Sequence, residues 1–178
     1  QLCAVAGVLR ERVHVVPLGV DVARFETPVA LPEDLELMPG QYLLFAGNLE
    51  PKKGLLTLLD AYPEIARKTG LDLVLAGRYA WRSRDVRERV EHYAGPGHVR
   101  ALGRVPNDVL SALYQHAHAF VFPSLCEGFG MPVLEAMAAG CPVVHSAHPA
   151  VVEAAGGAGV SFPVGDPQAL AEVVGALH

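Results

Sequence analysis

Seven stretches of strand length are apolar almost without interruption: Arg12–Pro17, Tyr42–Gly47, Leu71–Gly77, Val99–Val105, Ala119–Ser124, Cys141–Ser146 and Gly159–Pro163. Most run continuously apolar instead of alternating, the pattern of strands buried on both faces. Between them the apolar positions change to helical spacing, over Leu55–Lys68, Arg82–Tyr93, Asn107–Ala117, Pro132–Ala139, Ala150–Ala154 and Pro167–Leu177. In the first of these, Leu55, Leu58, Leu59, Tyr62, Ile65 and Ala66 fall on one face. Strand and helix alternate, which predicts an α/β fold with a parallel sheet and helices on both faces. Asp21–Gln41, with Pro28, Pro32 and Pro39, breaks the rhythm and reads as a loop or linker. Leu2–Leu9 is apolar with no basic segment before it and no small-residue cleavage signal after it, so it reads as a buried helix and not a signal peptide.

In an open parallel sheet, ligands bind outside the carboxyl ends of the strands. Five loops should therefore share one edge: Gly47–Gly54, Gly77–Tyr79, Gly103–Asn107, Ser124–Met131 and His145–Pro149. Glycines and basic side chains recur in them, which suits a phosphate-bearing ligand. Two acids also stand there, Glu127 and Glu135, eight positions apart. Pro132 favours a helix start, Gly140 a left-handed stop, and Glu135 should then lie in the first turn. Position alone is equally compatible with two acids that merely complement a helix dipole. The Gly128-Phe129-Gly130 span between them tips the reading toward a site, where each carboxylate accepts paired hydroxyls of a sugar or ribose.

Composition narrows the partners. The chain has 178 residues, 51% hydrophobic and 19% charged, with net charge −5. That is a globular composition, and its acidic balance opposes a nucleic-acid surface. Three cysteines at irregular spacing form neither a disulfide framework nor a zinc site, and a reducing cytoplasm is the expected compartment. No apolar run is long enough to span a bilayer. His116 and His118 diverge as surface or capping residues, and His145 and His148 are read as packing. Tyr79 and Trp81 are read the same way, and the mixed-charge helix around Arg82–Glu91 as a solvated face. Gly128-x-Gly130 lacks the third glycine of a dinucleotide fingerprint.

The motifs "VVPLGVDVARF", "FAGNLEPKKGLLTLLDAY", "LGRVPNDVLSALYQHAHAFVFPS", "EGFGMPVLEAMAAGCPVV" and "GVSFPVGDPQALAEVV", in this order, resemble the carboxyl-terminal, donor-binding half of a family 4 retaining glycosyltransferase of the two-domain GT-B type. The resemblance implies a Rossmann-like domain over residues 23–178, with residues 1–22 as the tail of, or link from, an amino-terminal acceptor domain not in this sequence. It also implies site residues. Lys53 would bind the donor diphosphate and Glu127 the hydroxyls of the transferred sugar, the two carrying the chemistry. Gly128, Phe129 and Gly130 would contact sugar and phosphate through the backbone, and Glu135 the ribose. Val105, with Arg104 and Asn107 nearby, would border the base, with Arg78 and Tyr79 as its other wall. The family's usual arginine after the first glycine is Asn48 here, so Lys52 or Arg78 would supply the lost charge. Pro149-Ala150 replaces a common Gly-Gly pair, and proline has no N–H to offer.

The resemblance further implies transfer of a hexose from a GDP-mannose- or UDP-glucose-type donor to an acceptor hydroxyl by front-face attack. It implies no cofactor, no metal and no covalent nucleophile, the nucleotide sugar being a substrate. The Leu-Glu-Pro-Lys-Lys form leans toward mannose-type donors. Peripheral membrane association would come only through the absent domain, and the isolated chain would bind donor without transferring it. The sequence also stops before the terminal helix such enzymes usually have. Two alternatives stay open: a sugar-nucleotide epimerase on the same fold, and a non-catalytic nucleotide-sugar-binding module.

Overall fold

A strand with no polar face must find cover on both sides, and the architecture supplies it. The computed structural model describes residues 5–178. Its strands are β1 (Tyr42–Ala46), β2 (Asp72–Ala76), β3 (Val99–Gly103), β4 (Ala119–Phe122), β5 (Val143–Ser146) and β6 (Val160–Phe162). They form one parallel sheet in the order β3-β2-β1-β4-β5-β6. Every residue of β1, β4 and β5 is buried, whereas the edge strand β3 is half-buried and β6 buries only Phe162.

The helices are α1 (Val22–Glu26), α2 (Leu55–Thr69), α3 (Arg84–Glu91), α4 (Asn107–His116), α5 (Met131–Ala138), α6 (Pro149–Ala155) and α7 (Pro167–Leu177). Helix α2 packs with α3 and α7, and a second group is formed by α1, α4, α5 and α6. This is the two-layer cover that the alternating pattern predicts, and it makes the fold Rossmann-like. Helix α2 buries the predicted face and ends on Gly70. Helix α5 ends on Ala139 and Gly140, with Cys141 N–H donating to Ala136 and Gly140 N–H to Met137, which satisfies its last carbonyls. Only Val86 and Val90 of α3 are buried, as a solvated helix requires. No helix among the described residues is long and apolar enough to cross a membrane.

Three expectations are corrected. Arg12–Pro17 is not a strand: a 3-10 turn at Arg10–Arg12 leads into unpaired chain in which Val15 and Val16 are both 83% exposed. Apolar residues can prefer a strand, but the ladder needs a neighbour, and none of the six strands pairs with this segment. The buried helix at Leu2–Leu9 lies in part outside the described residues, and its described ends, Val5 and Leu9, are exposed. Asp21–Gln41 is not only a linker. Asp21 caps α1 by accepting from the Arg24 N–H at 3.4 Å, and Phe25 is buried. The segment is then fastened to α4. The Gln115 amide donates to the carbonyls of Phe25 and Thr27 at 2.7 Å each and accepts from Val29 N–H at 2.9 Å, while a His116 ring nitrogen lies 2.9 Å from the Val29 carbonyl.

At the carboxyl edge the loops touch backbone to backbone. A Cβ on Gly77 would overlap the Gly47 carbonyl, and one on Gly54 (φ +70°) would overlap the Pro123 carbonyl. Gly70 has the same left-handed conformation (φ +71°) with open space around it. Gly70→Ala should therefore lose only the left-handed strain, about 1–2 kcal/mol. Gly54→Ala should lose at least about 2 kcal/mol more, because the loop after β1 must part from the loop after β4. Urea unfolding of the two variants measures the difference.

Candidate functional site

The sheet order reverses between β1 and β4, so the loops that follow these strands are neighbours. They are pinned together. The carbonyl of Lys52 accepts from Leu125 N–H at 2.8 Å and from Cys126 N–H at 3.3 Å. This contact joins Lys53, in a 3-10 turn at Pro51–Lys53, to Glu127: Lys53 Nζ lies 2.5 Å from Glu127 Oε1, with side chains only 16% and 11% exposed. Ser124 Oγ lies 2.8 Å from the same carboxylate oxygen and 3.3 Å from the carbonyls of Lys52 and Cys126. A hydroxyl has one proton, so the short, charged acceptor takes it. Buried Ser146 donates to the Ser124 carbonyl at 2.6 Å. The Lys53 ammonium also stands 5.6 Å above the Phe122 ring.

Gly130 (φ +109°) starts α5 at Met131, one residue earlier than the sequence suggests. Glu135 is therefore its fifth residue, and the first turn holds no acid. This overturns the placement of Glu135 in the first turn, and with it the idea that Glu135 complements free N–H groups there. Its partner is the buried Tyr114, whose hydroxyl donates to Glu135 Oε2 at 3.2 Å. Burial pushes the Glu135 carboxyl above the usual range, while the Tyr114 hydrogen bond and the Arg24 charge oppose the shift. Burial, with the Glu135 charge beside it, pushes the Tyr114 hydroxyl far up. In the loop before α5, Gly128 is exposed and Phe129 half-buried. The N–H groups of Gly128, Phe129 and Gly130 donate to no acceptor among the described residues.

Two adjoining cavities complete the edge. One, of about 220 Å³, is lined by Gly47, Gly77, Arg104, Val105, Tyr114 and Glu135 among others. The second, of about 370 Å³, is lined by Gly47, Asn48, Gly77, Arg78 and Arg104. The expected residues thus fall into two groups on one sheet edge, the Lys53–Glu127 pair and the cavity group of Asn48, Arg78, Arg104, Val105 and Glu135. Trp81 departs from its expected packing role: it stays 69% exposed, with the Arg82 guanidinium 4.4 Å from its ring. His145 is buried as expected. Among the described residues no three His, Cys, Asp or Glu converge on a common point.

Tyr114, Ser124 and Arg24 escaped the sequence reading. Tyr114 looks like one more apolar position on α4, and Ser124 like a strand end. Arg24 sits inside the VVPLGVDVARF motif, but nothing in that motif gave it a role, and its helix starts directly after the Asp21 cap.

The model for glycosyl transferases group 1 matches residues 40–178. O-antigen chain mannosyltransferase B of Escherichia coli is 41% identical over 128 residues, 71% of this chain and 33% of that protein. Phosphatidyl-myo-inositol mannosyltransferase of Mycolicibacterium smegmatis is 37% identical over 161 residues, 88% of this chain and 40% of that protein. The chain thus spans about a third to two fifths of the length of these curated relatives. Anabaena HepE, solved with UDP and glucose, superposes with a TM-score of 0.79 over 96% of this chain and 48% of its own, and at 23% identity this is a likeness of fold.

Removing the Ser124 hydroxyl should expose how the pair is held. Ser124→Ala leaves the Glu127 carboxylate short of a buried donor, which should destabilise the chain by about 1–3 kcal/mol. Thermal unfolding measures this, and Ser161→Ala on the exposed edge strand should leave the midpoint unchanged.

Proposed function

The chain belongs to the glycosyl transferases group 1, and on that premise we propose that residues 23–178 are the donor-binding half of a retaining glycosyltransferase. It moves a hexose from a nucleotide sugar to an acceptor hydroxyl. The observation that carries this reading is the placement of the Lys53–Glu127 pair and the Glu135 cavity side by side at the reversal of the sheet order. A nucleoside diphosphate sugar has the matching parts: a diol at the ribose, two phosphates, and a hydroxylated ring beyond them.

In this reading the base enters between Val105 and the Arg78 side, and Glu135 accepts the ribose hydroxyls. Lys53 exchanges Glu127 for the diphosphate, and the exchange frees the Glu127 carboxylate for hydroxyls of the sugar. As the glycosidic bond breaks, charge on the departing diphosphate is met by Lys53, by the N–H groups of Gly128 to Gly130 and by the positive end of α5. We assign no metal and no covalent nucleophile to this step. Retention follows from attack on the same face, with the leaving phosphate taking the acceptor proton. Arg78 and Arg104, in the cavity that Asn48 lines, supply the charge that Asn48 does not. The mannosyltransferase names of two relatives favour a GDP-mannose-type donor over a UDP-glucose type.

The acceptor wall belongs to a preceding domain, which also carries any peripheral membrane contact, and residues 1–22 link to it. The chain alone binds donor without turnover, because the cleft that excludes water is incomplete. Free thiols at Cys126 and Cys141 support a reducing, cytoplasmic setting.

The roles of the charged residues are separable by calorimetry with GDP, UDP and their sugars. Glu135→Ala should weaken the nucleoside diphosphate about ten- to a hundredfold, the loss of a charged acceptor worth roughly 1.5–3 kcal/mol. Glu127→Ala should leave the free diphosphate bound as well or slightly better, since Lys53 is released, and should weaken the nucleotide sugar. Lys53→Ala should weaken both and reduce the salt dependence. Equal losses from the two glutamate variants on both ligands would refute the assignment.

A further inference from the structure

Every site residue above comes from the carboxyl edge of the sheet or the helix behind it. Arg24 does not, yet its side chain bonds to Asn107, which lines the cavity there. Helix α1 fixes it there: Phe25 meets the Tyr114 ring edge-on at 5.9 Å between centroids, and Gln115 holds the carbonyls of Phe25 and Thr27. The Arg24 guanidinium lies 4.5 Å from the Phe25 ring, and its Nη2 donates to the Asn107 carbonyl at 3.2 Å. Asn107 lines the 220 Å³ cavity together with Tyr114 and Glu135.

One feature of Arg24 is costly. Its Nε is buried with no hydrogen-bond partner among the described residues. A buried unpaired donor opposes folding, and an apolar side chain would cover Phe25 without that penalty. Packing therefore does not explain an arginine here. It makes no ion pair with Glu135 among the described residues, but its charge opposes the upward push that burial gives the Glu135 carboxyl and the Tyr114 hydroxyl. The charged and titratable groups around Glu135 are Tyr114 from α4, Arg24 from α1 and Arg104 from the loop after β3, with Cys141 acting on Tyr114. Of the two cations, Arg104 is exposed to solvent and Arg24 is half-buried. Water screens the first more than the second.

We propose that Arg24 is a positioning residue for the donor nucleotide: from helix α1 it fixes the Asn107 corner of the cavity and adds positive charge on the side of Glu135 away from the sheet edge loops. This rests on the ribose role proposed for Glu135. Its consequence is that helix α1, where the chain enters the domain, and the ribose end of the donor site are energetically coupled. Undocking α1 would withdraw Arg24, and a bound nucleotide would hold α1 in place.

Arg24→Gln retains a donor for Asn107 and removes the charge, whereas Arg24→Lys retains the charge. GDP and UDP binding to the 178-residue chain, titrated by calorimetry from pH 5.5 to 8, should separate them. Arg24→Gln should lose affinity at a higher pH than the parent, by roughly fivefold at the acid end of the range and by less toward the alkaline end, as Glu135 ionises. Arg24→Lys should restore most of this. Glu135→Gln should bind weakly throughout, with only the titration of the nucleotide itself remaining. If Glu135→Gln is weak but Arg24→Gln follows the parent at every pH, the Arg24 proposal is overturned and the ribose role stands. If Glu135→Gln binds like the parent, the ribose role itself fails. The carboxyl carbon resonance of Glu135 in the nucleotide-free chain provides a second reading. It should titrate at higher pH in Arg24→Gln than in the parent and Arg24→Lys, and coincident titrations overturn the proposal.

Discussion

Parallel pairing of β1 with both β2 and β4 is the constraint from which the site follows. Parallel strands deliver their carboxyl ends to one edge, and the chain must return by helices that cover the two faces. The order of the strands then matters more than their number. From β1 the chain builds outward through β2 to β3, then returns to place β4 on the other side of β1. The helices beyond β1 and β4 thus leave the sheet on opposite faces, and a gap opens between their first turns. Gly54 against Pro123 and the Lys52 carbonyl against Leu125 and Cys126 close the base of that gap, and Lys53 and Glu127 face each other across it.

That pair has a defined state before any ligand arrives. A lysine and a glutamate this little exposed must be paired, because an isolated charge there would be costly. Each therefore keeps the other ready: Glu127 holds the ammonium in place, and Ser124 holds Glu127. A ligand that brings its own negative charge for Lys53 and its own hydroxyls for Glu127 replaces one satisfied arrangement by another. This is the kind of exchange a diphosphate sugar can make and a neutral sugar cannot. Glu135 differs in kind. It is held by a neutral hydroxyl and a more distant cation, so its ionisation depends on its surroundings in a way that the proposed ribose contact would exploit.

Much of this was legible in the residues themselves, and the reasons are local. Runs such as Tyr42–Phe45 and Ala119–Phe122 have no polar face, so burial on both sides was forced. Gly140 marked a helix end through a conformation other residues avoid. The edge loops and both glutamates could be placed because parallel topology converts chain order into position. What failed was non-local. Val15 and Val16 look like strand, but pairing is decided by a neighbour that local sequence does not name. Helix α1 is short and sits among prolines, so no periodicity develops, although Asp21 marks its start. Tyr114 and Arg24 join the site only because Phe25, Gln115 and α5 bring distant segments together. The one-residue earlier start of α5 was also invisible, because Gly130 and Pro132 are each acceptable at a helix beginning.

The central claim is that one nucleotide sugar bridges the two groups of residues. A crystal structure of this chain with GDP bound tests it most directly. The account predicts the ribose hydroxyls on the Glu135 carboxylate and the diphosphate on Lys53, with the Lys53–Glu127 contact broken and Glu127 turned free. A nucleotide bound elsewhere, or one at this edge with Lys53 still bonded to Glu127, would contradict it.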